Sequence, residues 1–339
     1  MSISTNRGLA TGQLKYFFNI SFHTLGKVAC NLTIFHHCFM KNALLKLHIA
    51  VFLWGFTGVL GRLILLNEGL LVWYRMLITV VSLFLVMLWK KELQKVSGKH
   101  MWKLVGIGGL IALHWCFFYG SIKHSNVSIA LTCLSSAGLF TALLEPLLTR
   151  KPVVVQEVGL GLIAIFGIYL IFHFDPQYKT GIILGLICTI LTCVFVIFNK
   201  TMVAHTAPKT MMLYELGGGW LLLSLAMPFY LKIFPTVYLF PSSMDFLWLL
   251  IMSWICTILA MDLSLQALKK LSAFTQNLTF NLEPVYGIIL AFVVYKENKH
   301  LSYGFYIGFS LILLAVLLQM ARIVKQNKQE PHVYGGVEG

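Results

Sequence analysis

Charge is what this sequence lacks most. Only 11% of its 339 residues are Asp, Glu, Lys or Arg, where a soluble domain carries about 25%. So few charges cannot cover the surface of a soluble protein of this length. The 58% share of apolar residues exceeds the roughly 45–50% of soluble domains. Acidic residues are the scarcest, 12 against 26 Lys and Arg. In a soluble chain that surplus would point to nucleic acid. In a chain this apolar it reads as loop charge that fixes orientation in a bilayer, so a lipid bilayer is an expected partner and nucleic acid is not. Cysteine is also short: seven, an odd number, with Cys116, Cys133, Cys188, Cys193 and Cys256 all in apolar runs. That excludes a secreted disulfide framework. A Gly-rich phosphate loop ending in Lys-Ser/Thr is missing, which argues against an ATP-driven pump. His-Glu-x-x-His is missing too. Gly308-Phe309-Ser310 has no convincing histidine partner, so a membrane-embedded enzyme is the weaker reading, and neither a metal nor a cofactor is expected.

What is present is long apolar runs. A hydrocarbon core about 30 Å thick needs about 20 apolar residues per helix. Barrel strands would alternate in polarity, whereas these runs are continuous. Ten runs fall at about 47–66, 70–89, 103–122, 126–148, 154–172, 181–199, 210–231, 245–266, 272–295 and 302–322. The short polar break at Ile122-Lys123-His124-Ser125-Asn126 separates the third from the fourth. The expected fold is an all-α integral membrane protein of ten transmembrane helices. With the N-terminus inside, sixteen Lys and Arg fall on the inner side. Only Lys123, Lys179, Lys232, Lys296 and Lys299 fall outside. By the positive-inside rule both termini are expected in the cytoplasm.

Residues 1–39 are mixed in character, with an apolar stretch too short to span and no clean signal-peptide cleavage site. Cys30, His36, His37 and Cys38 match no familiar zinc spacing. Met40 is the expected initiator, or else the first 39 residues are dispensable. The expected layout is an extension at 1–43, five helices within 44–172, five more within 181–323 and a cytoplasmic tail at 324–339.

Five is odd, so the second set of helices must enter the membrane from the opposite side, the condition for an inverted repeat. A gapless offset of 147 residues pairs Lys123 with Lys270, Ser125 with Ser272, Thr132 with Thr279, Gly161 with Gly308 and Ile165 with Ile312. Each half then reads as a basic mouth, a long helix, a short charged turn and a Gly-bearing helix.

Three stretches carry a resemblance: Leu53-Trp54-Gly55-Phe56, Glu145-Pro146-Leu147-Leu148, and Leu268-Lys269-Lys270-Leu271-Ser272-Ala273 leading to Leu282-Glu283-Pro284-Val285. With them the chain resembles the EamA-type permeases of the drug/metabolite transporter superfamily over roughly 44–322. The resemblance implies a ten-helix inverted-repeat carrier of small metabolites, often working outward. In that family each half usually has a Pro in its fourth helix. Here Pro284 has Ala137 as its offset partner, a departure from strict symmetry.

Ionisable groups within the hydrocarbon are the natural site candidates, because each costs several kcal/mol unless paired or hydrated. Glu283 lies 13 residues from Lys270 and from Lys296, near the midplane. Pro284 after it removes an intrahelical donor, as a central cation, amine or proton site needs. Asn277, Asn281 and Pro284, at i, i+4 and i+7, form one helical stripe. A neutral Glu bonded between helices is the bland alternative. Glu145 sits five residues before Arg150 and reads as an interfacial helix end.

Arg75 and Glu215 occupy equivalent places in the second and seventh helices, the cation near the outside and the anion near the inside. Arg62 and His114 join the outer group, and Asp262 joins the inner one. Facing one cavity, these groups would suit a zwitterion such as an amino acid. Snorkelling of Arg62 and Arg75 to the headgroups, with Glu68 as partner, is the alternative. Gly55, Gly58, Gly61, Gly217-Gly218-Gly219, Gly304 and Gly308 read as packing or dimer faces, the triplet alternatively as a hinge. Trp73, Trp89, Trp102, Tyr119, Tyr295 and Tyr303 read as an aromatic belt, and 234–241 as an interfacial outer loop. The expected function is a secondary transporter of small polar metabolites in a bacterial inner membrane, working by alternating access. A coupling proton and a homodimer are open partners. A receptor or scaffold without transport is the alternative.

Overall fold

The structure, a computed structural model, describes residues 42–150, 154–202, 206–268, 279–280 and 282–329. Residues 1–39, Asn277 and Asn281, for which the sequence raised expectations, lie outside them. The described residues form helices joined by short turns: α1 Asn42–Leu63, α2 Glu68–Trp89, α3 Gly98–His124, α4 Val127–Ser135, α5 Ala137–Thr149 and α6 Val155–Phe174 in the first half. The second half holds α7 Lys179–Met202, α8 Pro208–Ile233, α9 Ser243–Ser253, α10 Ala260–Leu268, α11 Glu283–Tyr295 and α12 Tyr303–Gln329. A π-helical turn, Trp254–Leu259, joins α9 to α10.

Eight segments are long and apolar enough to cross a bilayer: α1, α2, α3, α6, α7, α8, the run Ser243–Ser264, and α12. The two remaining runs of the expected ten differ for a shared reason. The run at 126–148 is interrupted at Ser136. In that at 272–295 the described residues Thr279 and Phe280 are helical, Leu282 is a turn and Glu283–Tyr295 is a helix. The 147-residue offset pairs Ser136 with Glu283, so the breaks at Ser136 and Leu282 fall within one residue of the same register. In α11 Pro284 sits in the first turn, where its missing N–H costs nothing. In the first half, Ser136 Oγ donates to the Cys133 carbonyl at 2.5 Å, a local bond that competes with the helix ladder. The carbonyls freed there are met from α7: Thr189 Oγ1 donates to Cys133 O at 3.0 Å and Cys193 Sγ to Ala137 O at 3.3 Å. Inside a membrane such groups must find partners within the protein.

Packing mixes the halves. α3 lies against α7 and α8, α2 against α8 and α9, α4 against α7 and α11, and α6 against α12. Exchanging the halves converts α3–α8 into α2–α9 and α4–α7 into α1–α11, and returns α2–α8 and α6–α12 to themselves. Two crossings depend on glycine. A Cβ on Gly55 of α1 would lie 2.9 Å from the Glu283 carbonyl and 3.0 Å from Gly287 N of α11. A Cβ on Gly218 of α8 would lie 2.7 Å from Val105 Cα of α3, and one on Gly108 of α3 would overlap the Glu215 carbonyl. Backbones that approach this closely gain dispersion contact, which replaces the hydrophobic drive absent in lipid. Gly304 and Gly308 of α12 meet Phe174 and Gly167 of α6, so that face is occupied within the chain. The triplet Gly217-Gly218-Gly219 runs as regular helix.

Several surface assignments move inward. Tyr119 is fully buried, while Trp89, Trp102 and Tyr303 are exposed as a belt requires. Trp73 Nε1 donates to Ser224 Oγ at 2.7 Å, and Tyr295 Oη to the Val59 carbonyl at 2.8 Å. Arg62 pairs with Glu297 and stacks on Tyr295, whereas Glu68 accepts from Tyr230 Oη. Glu297 also takes the Val127 and Ser128 N–H groups at 3.0 and 2.8 Å and Ser128 Oγ at 2.5 Å. A carboxylate at the N-terminus of α4 satisfies donors the helix leaves open. With Asn126 capping Ile129 N at 2.8 Å, this explains why the chain breaks between α3 and α4.

Candidate functional site

Arg75 lies on α2 two turns from its start and is 4% exposed. Its guanidinium is turned inward. Nη1 donates to Tyr119 Oη at 2.5 Å and Nη2 to Thr257 Oγ1 at 3.0 Å. The plane lies over the Trp115 ring at 3.9 Å from its centroid. Trp115 and Tyr119 stand one turn apart on α3, so one face supplies both. Thr257 is delivered by the π-helical turn, where its hydroxyl also bonds the Met252 carbonyl five residues back. Such turns concentrate at functional sites because they re-aim side chains. Arg75 Nε, buried, has no hydrogen-bond partner. The snorkelling alternative therefore does not describe Arg75. Among the described residues no carboxylate forms an ion pair with it.

Two other candidates lie within electrostatic range of Arg75. Glu283 begins α11, deep in the bundle but only half-buried, with the Arg75 charge acting on it. His114 of α3 also feels Arg75. Its Nδ1 lies 2.7 Å from Thr192 Oγ1, 3.2 Å from the Cys188 carbonyl and 3.2 Å from Cys188 Sγ. Phe118 and Phe195 pack on its ring. Pro284 is buried directly after Glu283. The structure thus gathers Trp115, Tyr119 and Thr257 around Arg75 from helices of both halves, with Glu283 and His114 within reach of its charge.

The inner-side candidates stand apart. Glu215 of α8 is 5% exposed, and no charged group among the described residues acts on it. Asp262 of α10 accepts from Gln266 Nε2 at 2.7 Å, and Gln266 in turn accepts from Lys46 Nζ at 2.7 Å. Asp262 borders a cavity of about 240 Å³ between α2, α8 and the π-helical turn, with Lys90, Lys209 and Glu92 at its rim. Glu145 is half-buried near the end of α5.

Sequence reasoning missed Trp115, Tyr119 and Thr257 as partners of Arg75, and Asn199 as the neighbour of Glu215. Aromatics at i and i+4 opposite a lone intramembrane Arg would have signalled the first pair. The π-helical turn leaves no mark in the sequence. Among the described residues no group of three or more His, Cys, Asp or Glu could hold a metal ion.

With this geometry in place, the comparisons become informative. The model of the EamA-like transporter family matches residues 41–173 and again 179–321. The chain belongs to the EamA-like transporter family. It is a multi-pass membrane protein built from two family units. It is 29% identical over 149 residues to a protein of Haemophilus influenzae described as an uncharacterized transporter. That match covers 40% of this chain and 48% of the relative, so the chain spans about half the relative's length. A solved structure, titled only as the crystal structure of a protein, aligns with a TM-score of 0.54 at 16% identity. It covers 84% of this chain and 98% of its own, a likeness of fold.

Proposed function

We infer that this EamA-like protein is a secondary transporter of small polar metabolites, with a zwitterion such as an amino acid as the best-fitting substrate. The observation that carries this reading is Arg75, a buried cation held between the two halves without an ion-paired carboxylate among the described residues. A guanidinium stays charged at any physiological pH, and a buried charge left unpaired is costly. A substrate carboxylate reaching the guanidinium edge would relieve that cost. Glu283, within electrostatic range and half-buried, offers the complementary pole to an amine, and it is the candidate for exchanging a coupling proton as substrate passes. The Trp115 ring and Tyr119 hold the guanidinium in one orientation, which favours planar, bidentate recognition of a carboxylate.

In this reading the chain works by alternating access in a bacterial inner membrane, both termini cytoplasmic, with the halves related as inverted repeats. The exchange-related packing pairs and the matching interruptions at Ser136 and Leu282 support the inverted relation. A scaffold without transport would have no use for a buried cation whose Nε is left without a partner. The test is counterflow in vesicles holding the purified chain and a mixture of the twenty amino acids, with labelled amino acids outside. Accumulation is expected, and its loss in Arg75→Gln. Failure of the wild-type chain to accumulate label, or unchanged uptake by Arg75→Gln, would refute the reading.

A further inference from the structure

The strongest feature outside the central cluster is a shortage of donors around Glu215. Its carboxyl is 5% exposed, and Oε1 has no hydrogen-bond partner. Asn199 of α7 is its hydrogen-bonding neighbour, and Asn199 Oδ1 is likewise buried with no partner. Although Asn199 hydrogen-bonds to the Glu215 carboxyl, one acceptor oxygen on each of these two side chains is left open, and native interiors seldom tolerate even one. The faces packed on the adjoining glycines of α8, Gly217 to Gly219, are apolar among the described residues. α3 presents Val105 and Gly108, and α2 presents Met76 and Val80. None of these titrates or carries charge.

Acceptors short of a donor call for a cation. A metal ion requires several oxygen ligands, and only two are free. A single proton is sufficient, because it turns one carboxyl oxygen into a donor and leaves Asn199 Oδ1 to accept, once the amide is turned appropriately. We propose that Glu215 and Asn199 form a proton-binding site, separate from the Arg75–Glu283 cluster and lying in the half of the membrane that holds Lys90 and Lys209, through which proton uptake is coupled to transport. The step balances simply: hydronium gives its proton to the Glu215 carboxylate and leaves as water, and the reverse transfer resets the site.

A route to the centre is present. The Glu215 carbonyl abuts Gly108 of α3, the helix that carries Trp115 and Tyr119. Gly108 and Trp115 are two turns apart, about 10 Å. A change of charge or bonding at Glu215 is thus applied to the helix that orients Arg75.

The coupling rests on the transport function proposed above, whereas proton binding at Glu215 does not, so two measurements separate them. Infrared difference spectra of the full chain in phosphatidylcholine vesicles, titrated with acid in H2O and D2O, read the carboxyl directly. The expected result is a titrating, deuterium-sensitive C=O band that is lost in Glu215→Gln and kept in Glu283→Gln. Asn199→Leu keeps the band and moves its midpoint. A band that survives Glu215→Gln, that is missing from the wild type, that ignores Asn199→Leu, or whose midpoint follows sodium at constant ionic strength overturns the site. In vesicles loaded with a pH dye, addition of the amino-acid mixture should move protons with substrate, and the proton-to-substrate ratio should fall to background in Glu215→Gln. An unchanged ratio there overturns the coupling. A wild-type chain that fails counterflow but shows the band refutes transport and leaves proton binding standing.

Discussion

Arg75 and Glu215 hold the same station in the two halves, each seven residues after the first residue of α2 or α8. Their surroundings are opposite. Arg75 is gripped by Tyr119, Thr257 and the face of Trp115, with its Nε left without a partner. Glu215 is 5% exposed, its backbone carbonyl abuts Gly108, and among the described residues its hydrogen-bonding neighbour is Asn199. The difference follows from chemistry. A guanidinium cannot discharge itself, so it requires fixed acceptors and an anion. A carboxyl can shed its charge by taking a proton, so its site can remain open. In the reading proposed above, equivalent positions act as an anchor in one half and a switch in the other.

Removing the anchor should have the largest effect. Arg75→Met removes the donors to the Tyr119 and Thr257 hydroxyls, which keep only Met252 as partner, and forfeits the Trp115 contact. The lost charge-assisted hydrogen bonds and cation–π contact, offset in part by removal of the buried charge, give an expected loss of about 2–4 kcal/mol, read as a lower unfolding temperature in detergent. Arg75→Lys keeps the charge but not the planar fork, and should recover part of the stability and little of the uptake. Full stability in Arg75→Met would mean that the three contacts do not grip.

The α3–α8 crossing tests whether the two stations communicate. Gly108→Ala places a methyl group on the Glu215 carbonyl and should cost about 1–3 kcal/mol through overpacking. It should also displace the carboxyl band of Glu215 while leaving Glu283 in place. Gly106, on the same helix with open space around it, is the control, and Gly106→Ala should be neutral or slightly stabilising. Equal losses at the two glycines would dissolve the distinction. A smaller effect is expected at the π-helical turn. Thr257→Val removes one of the Arg75 hydrogen bonds at a cost of about 1–2 kcal/mol, and should weaken uptake more than it lowers stability.

The sequence disclosed these elements unevenly. Helix positions were legible because apolar runs and basic loops are properties of composition, and α2, α3, α6 and α8 fall within a few residues of their expected bounds. The stations of Arg75 and Glu215 were legible as depths, since depth follows from counting along a helix. Lateral direction was not. Tyr119 reads as belt from its depth but faces inward. Arg62 was matched with Glu68, yet it meets Glu297, which lies in a short loop and is 3% exposed. Asp175, another loop acid, is 1% exposed and accepts from Ser302 Oγ at 2.6 Å. Acids in short turns can be drawn inward by open helix termini, a pull that no hydropathy count detects. The matching interruptions at Ser136 and Leu282 were half-legible. Pro284 announced one side, while the serine bond and the α7 hydroxyl that produce the other depend on tertiary contact.

The smallest expected effect is the most discriminating. Glu215→Gln replaces a carboxyl by an amide of the same shape and adds two donors to a site that has too few. If Glu215 is a structural acid bound as tightly as Arg75, the change should cost as much as breaking a buried charge pair, about 3–5 kcal/mol. If the open oxygens await a proton, the amide supplies permanently what the proton supplies on demand. Stability should then change by no more than about 0.5 kcal/mol, or rise, because the unsatisfied acceptor at Asn199 gains a donor. Thermal unfolding of the variant in detergent distinguishes the two. A loss as large as that of Arg75→Met would make the two stations alike and remove the ground for calling one of them a switch.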